Sequence, residues 1–402
     1  MVSTTLKRSL AKWLGRQSAR PFSSSAHRET DRWPIAIIGM AGVFPGAADW
    51  RQFWRNLESG GRFIREIPPE RFPWRDYYHD LREGSEAAAS IWGGFLDDIA
   101  HFDAERFGIN PRRAERMDPE QRLFLHTAWR TIEDAGYRPA QLAGPELGVF
   151  VGACFHNYAE RLRWAGVRPD VELIYPDLIA NRVSHWLDAR GPSESIHTAC
   201  CSSLTALHRA VRAIADGECE WALAGGVSIL LSPYSFRAFA NAGVASPSGG
   251  GRVFDQQSDG WVRGEGAGAV LLKPLARALS DGDVIHAVIA GSAVGHGGHT
   301  GSLLGLRRAA QIAATVRAHR QAGVDPAQVG YLEIQGSGKA KADLEEMFAM
   351  REAFEQLGDA APGCPVSCLK PAIGHLEAAA GVAAVIKVAQ ALRHGRIPGI
   401  VG

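Results

Sequence analysis

Ile196-His-Thr-Ala-Cys-Cys-Ser-Ser-Leu204 sets two cysteines against the start of an amphipathic segment in which Leu204, Leu207, Val211 and Ile214 fall on one side. That spacing predicts a helix over Ser202–Ile214, entered from an irregular segment, and Ser202 and Ser203 suit a helix start. Unpaired amides and partial positive charge at a helix N-terminus favour thiolate over thiol, and the same amides can hold the oxyanion of an attacked thioester. Cys200 is therefore a candidate nucleophile. The pattern also fits a pair of inert core cysteines, because free cysteine is commonly buried.

Outward from this point the chain alternates short apolar runs with longer helical patterns. Ile35–Gly39, Gly148–Ala153, Trp221–Leu231 and Ala267–Leu272 read as strands, and Asp118–Ala135 as a helix. Near Pro274 the order begins again. Strands are expected at His286–Val294, Tyr331–Gln335 and Pro365–Leu369, and helices at Leu306–Ala322, Ala342–Gln356 and Leu376–His394. Such alternation implies an α/β fold with a largely parallel sheet covered on both faces. Three units are expected: a tail over 1–33, a half over 34–274 carrying the cysteine, and a shorter half over 275–402. The second half ends at Gly402 after its last helix, with nothing matching the first half's strands at 221–231 and 267–272.

Composition narrows the function. A chain of 402 residues, 46% hydrophobic and 22% charged, is ample to bury a core. Lys+Arg 44 against Asp+Glu 43 leaves a net charge of +1, which gives no electrostatic case for nucleic acid or an anionic membrane. The cysteines at 154, 200, 201, 219, 364 and 368 form no CxxC pair and no disulfide framework, so no metal is expected and a reduced, cytoplasmic setting is. No apolar run reaches the ~20 residues of a membrane helix. The tail is rich in Arg and Ser, with no acid before Glu29. It reads as an organellar presequence, a docking helix for a neighbouring polypeptide, or a flexible leader.

The segment around Cys200 resembles the TAC-S-S-S-L signature of β-ketoacyl synthases, in particular the ketosynthase domains of polyketide synthases. Ile35-Ala-Ile-Ile-Gly-Met40, Met117-Asp-Pro-Glu-Gln-Arg-Leu-Phe-Leu125, Asn181-Arg-Val-Ser184, Ala224-Gly-Gly226 and Gly264-Glu-Gly266 extend the likeness in order, over about residues 34–397. The resemblance implies a thiolase-like fold, two related βαβαβ halves in α-β-α-β-α layers. It makes Cys200 the nucleophile, with Cys201 replacing the first Ser of the usual run and His197 standing where an Asp is normal.

Two further motifs complete the implied site. Lys370-Pro-Ala-Ile-Gly-His375-Leu-Glu-Ala-Ala-Ala-Gly381 resembles K-S-N-I-G-H-L-E-A-A-A-G, making His375 a catalytic donor and Lys370 a nearby cation. A helix dipole behind His375 is expected to keep its ring neutral. The family's E-A-H-G-T-G-T is altered to Glu333-Ile-Gln335-Gly-Ser337-Gly-Lys339, so Gln335 takes the place of a histidine. An amide can donate a hydrogen bond but cannot exchange a proton. Ser337 keeps a hydroxyl where the family contacts the pantetheine arm, and Glu346 keeps a carboxylate resembling the lysine's usual partner. Leu303-Leu-Gly-Leu-Arg-Arg308 replaces a Pro-Asn loop, and the closing G-F-G-G-T-N-A-H segment is not found.

The resemblance thus implies an acyl carrier protein as partner, an acyl group delivered on its phosphopantetheine arm, no bound cofactor, a homodimer, and adjacent polyketide synthase modules. Three readings stay open: an acyltransferase of the non-elongating ketosynthase type, a fully condensing synthase, and a non-catalytic partner subunit. Gly336-Ser-Gly338-Lys339 fails as a phosphate loop because Glu333 stands at the required glycine.

Overall fold

The computed structural model describes residues 33–401, apart from 78–89, 145, 156, 168–174, 176–177, 300–304 and 359–362. The tail expected over 1–33 therefore lies, but for Trp33, outside the described residues, as do 303 and 304 of the altered loop.

Eleven strands occur among the described residues: β1 Ile35–Val43, β2 Ile64–Glu66, β3 Trp92–Gly94, β4 Leu147–Gly152, β5 Ser193–Ile196, β6 Trp221–Ser228, β7 Arg263–Gly264, β8 Gly266–Pro274, β9 Ala287–Ile289, β10 Leu332–Glu333 and β11 Val366–Ser367. Six of them form one sheet in the order β5-β4-β6-β8-β1-β9. Alternation along β1 divides the protein's interior. Ile35 and Ile37 face a core shared with helix α1 Ser202–Asp216 and helix α2 Ala380–His394, while Ala36 and Ile38 face another built on the helices Pro119–Asp134 and Leu178–Leu187. Beyond α1 and α2 lies a two-stranded sheet, β10 parallel to β11, while β2, β3 and β7 form a separate three-stranded sheet. Helices Arg308–Ala322 and Ala340–Gln356 pack against each other outside the two-stranded sheet through Ile312, Val316, Ala349 and Ala353. The five layers alternate helix and sheet as expected.

The large sheet is mixed, not largely parallel. β4 runs parallel to β5 and β6, but β8 is antiparallel to both β6 and β1, and β9 is antiparallel to β1. The chain leaves β6 at Ser228 and enters β8 at Gly266, and these two residues are paired, so it has not crossed the sheet and must run back. The strand expected at His286–Val294 is confined to Ala287–Ile289 and extends this first sheet.

Two close approaches hold the central helices in place. A Cβ at Gly152, the last residue of β4, would lie 2.4 Å from the Ser203 amide nitrogen, so β4 abuts the start of α1. Ser203 in turn accepts the Val382 N–H at 3.1 Å, tying α1 to α2. On the outer side of α2, the buried Lys387 ammonium donates to Glu333 at 2.7 Å and to Ser367 at 2.8 Å, fastening both strands of the small sheet.

Candidate active site

Cys200 sits on a strained turn between β5 and α1. Ala199 holds φ +53°, left-handed for a non-glycine residue. The Ser202 hydroxyl braces the turn, donating to Ala199 O at 2.6 Å and accepting Thr198 N–H at 2.9 Å. Beneath it the Cys154 thiol donates to the same Ala199 carbonyl at 2.8 Å. This arrangement lifts a half-buried Cys200 to face residues of the second half.

His375 arrives from that half and shares a hydrogen bond with the Cys200 thiol. Its main chain is stapled to β7, His375 N–H to Val262 O and Gly264 N–H to His375 O, both 2.7 Å. The ring is buried against Trp261, edge to face at 5.9 Å between centroids. Burial, reinforced by the Lys370 cation, pushes His375 down to about 4, so the ring is neutral near pH 7. The helical run behind the ring opens on a tighter turn than expected. A single 3-10 turn, Glu377–Ala379, separates His375 from α2, which starts only at Ala380. The Glu377 amide donates to His375 Nδ1 at 3.3 Å. The ring proton therefore sits on Nε2, the nitrogen left to meet the Cys200 sulfur.

Gln335 points its Nε2 at Cys200 Sγ, 4.0 Å away. Its backbone is gripped from two sides. Lys370 Nζ donates to the carbonyls of Gln335 and Gly336 at 2.6 and 2.9 Å, and Glu346 accepts their amides at 2.7 and 2.9 Å. Glu346 thus meets Lys370 through this backbone and not as a direct ion-pair partner among the described residues. Burial lowers the Lys370 ammonium below its ordinary value and raises the Glu346 carboxyl above its own. Ser337 is tied to its own loop, its hydroxyl accepting the Lys339 N–H at 3.2 Å. The same hydroxyl donates to Asp343 at 2.7 Å.

The acid–base expectation moves by one residue. Cys201, not Ser202, is the N-cap of α1, and it is exposed. A hydrogen bond between neighbouring thiols leaves the negative charge on Cys201, which falls to about 6, and holds the proton on Cys200, which rises to about 12 against the pull of His375. A sequence reading centred on Cys200 also passes over Cys154 and Cys368, whose thiol donates to Gln335 O at 3.2 Å. It passes over Arg263 and Glu377 as well, whose signal was a pair of charges inside otherwise apolar, glycine-rich motifs. Among the described residues no cluster of His, Cys, Asp or Glu could hold a metal ion.

Taken together, a neutral imidazole and an amide donor meet the Cys200 thiol, with a buried ammonium fixing the backbone that carries the amide. The profile of the family described as "Beta-ketoacyl synthase, N-terminal domain" matches residues 32–278, and that of "Beta-ketoacyl synthase, C-terminal domain" matches 286–402. The chain belongs to the β-ketoacyl synthase family. The chain is 48% identical over 371 residues, 90% of its length, to polyketide synthase ThaG of Burkholderia thailandensis, and 42% identical over 94% of its length to polyketide synthase PksN of Bacillus subtilis. It spans 7% of the length of each. Among solved structures, the oxazolomycin ketosynthase domain OzmH KS7 of Streptomyces albus is 40% identical with a TM-score of 0.86, covering 92% of this chain and 66% of that one. The ketosynthase from module 6 of the bacillaene synthase of Bacillus subtilis is 35% identical with a TM-score of 0.82, covering 90% and 61%. The fold is thus the thiolase-like fold of ketosynthase domains, and the relatives are polyketide synthases.

Proposed function

We propose that the chain is an acyl-handling ketosynthase of polyketide assembly. It takes an acyl chain from the phosphopantetheine arm of an acyl carrier protein onto Cys200 and passes it on, with decarboxylative condensation impaired. The observation that carries this reading is Gln335, whose amide stands 4.0 Å from the Cys200 sulfur in the position of a histidine. In the loading step the Cys200 sulfur attacks the thioester carbonyl. The carbon–sulfur bond to pantetheine breaks, and the thiol proton ends on the pantetheine sulfur. This step asks for a sulfur nucleophile and hydrogen-bond donors to the oxyanion. Condensation asks for more, because the enolate formed from a malonyl thioester needs two positioned donors in a site that excludes water. Loss of one such group typically costs ~10²–10³ in rate.

A homodimer, neighbouring polyketide synthase modules and a cytoplasmic setting belong to the same proposal. The β5 edge of the large sheet, which has no further strand beside it among the described residues, supports self-association. Among the described residues no helix is long and apolar enough to cross a membrane.

Incubation with acyl-loaded and malonyl-loaded carrier protein, read by intact mass and by carbon dioxide release, tests the reading. The expected result is an acyl mass gain that disappears in Cys200→Ala, with little carbon dioxide, and a condensation rate raised about 10²-fold in Gln335→His. Carbon dioxide release with a lengthened chain in the unaltered protein would overturn the impairment. Absence of any Cys200-dependent gain would favour a non-catalytic subunit.

A further inference from the structure

We infer that the buried Arg263–Glu377 pair is a positioning device for His375, holding the Glu377 amide on Nδ1 so that the ring presents a protonated Nε2 to Cys200. The inference rests on the functional reading above only in taking Cys200 as the reactive thiol.

Four observations carry it. First, both charges are out of water, with side chains 2% and 5% exposed and Arg263 Nε donating to Glu377 Oε1 at 2.9 Å. A buried ion pair is a poor means to stability, since well-packed apolar replacements are often neutral or stabilising. Its presence here calls for another role. Second, Glu377 holds φ +48°, a left-handed conformation that is strained for a non-glycine residue. The same residue turns its N–H onto His375 Nδ1 at 3.3 Å. The ion pair thus grips the side chain of the one residue whose strained backbone sets the histidine tautomer.

Third, the guanidinium is itself immobilised. Arg263 Nη1 donates to the Ser235 hydroxyl at 2.6 Å, and the cation lies over the rings of Phe239, Phe236 and Phe155 at 4.7, 5.0 and 5.4 Å. Its Nη2 is fully buried with no hydrogen-bond partner among the described residues. Such an arrangement meets the demand for a fixed place better than the demand for satisfied donors. Fourth, Arg263 and His375 are bridged directly through the main chain. A Cβ at the neighbouring Gly374 would lie 2.7 Å from Arg263 O, so the two backbones approach with no side chain between them. Arg263, Lys370, Glu377 and Cys200 are the charged or titratable groups around the ring. The two cations also oppose a second proton on it.

The test uses full-length protein carrying ¹⁵N-labelled histidine, with His375→Asn to assign the His375 signals. The unaltered protein should show an unprotonated Nδ1. Glu377→Gln keeps a hydrogen bond to Arg263 and should keep both that spectrum and the rate of Cys200 alkylation by iodoacetamide within about twofold. The double variant Arg263→Met with Glu377→Met removes the pair without stranding a charge. It should mix the two tautomers and slow Cys200 alkylation about tenfold, equivalent to one pKa unit. A folded double variant with the unaltered tautomer and rate would overturn the inference. If that variant does not fold, Glu377→Gly carries the test, since glycine adopts φ +48° freely and retains the N–H. A mixed tautomer there supports the inference, and an unaltered spectrum refutes it. None of these readouts uses acyl transfer, so failure of acyl loading would count against the proposed function alone.

Discussion

At the scale of single residues, the chemistry turns on which of two adjacent sulfurs holds the proton. Cys201 draws the negative charge through its hydrogen bond to Cys200. Cys201→Ser should therefore lower the pH midpoint of Cys200 alkylation by at least one unit, a tenfold gain in rate at neutral pH. Fragment-resolved mass spectrometry across pH 6–10 checks it, and an unchanged midpoint would refute it. His375 has a stability consequence as well. Its folded pKa, about 4, lies below the ordinary 6.5, so between these values the unfolded chain binds a proton that the folded chain refuses. Stability is then full above pH 6.5 and falls as the pH drops toward 4, by on the order of 3 kcal/mol. In His375→Asn, urea midpoints should decline less over that interval than in the unaltered protein. Sequence reading reached the residues of this site because their types and motif neighbours declare the chemistry. It missed the location of the charge, because that depends on a side-chain hydrogen bond that spacing cannot express.

At the scale of elements, helix α1 was legible from Leu204, Leu207, Val211 and Ile214, and it forms over Ser202–Asp216. β5 was not, since Ser193-Glu-Ser-Ile196 carries no apolar alternation and is held by its pairing with β4. The antiparallel course of β8 was equally hidden, because a buried strand reads the same in either direction. So was the gap between His375 and α2, which arises from the left-handed turn at Glu377. The junction of β4 with α1 offers a sharp test. In Gly152→Ala the added methyl meets the Ser203 amide nitrogen and the Ser202 carbonyl carbon, at 2.4 and 2.5 Å, and both are main-chain atoms that cannot rotate away. A loss of about 3 kcal/mol or more in denaturant unfolding is expected, with slower Cys200 alkylation as α1 shifts. A loss below 1 kcal/mol would show that this approach is not rigid.

At the scale of the whole molecule, the small sheet is bound to the centre through one buried cation. Lys387→Met strands the Glu333 carboxylate, which is 7% exposed, and should destabilise the protein by about 3–5 kcal/mol. Adding Glu333→Leu should recover most of that loss, and thermal melts of the single and double variants measure it. Equal melting temperatures for the two would disprove the pairing argument. The first half meets the second through noncovalent links, among them β1 paired with β9, Ser203 with Val382, and Lys273 with Asp283 at 2.7 Å. All of them bridge the exposed, left-handed Gly282 that ends the helix Leu275–Asp281. A polypeptide severed at that glycine would keep every one of these contacts. Its two pieces, produced separately and mixed, should find each other and rebuild a reactive thiol, which makes the protein a candidate for split-fragment complementation.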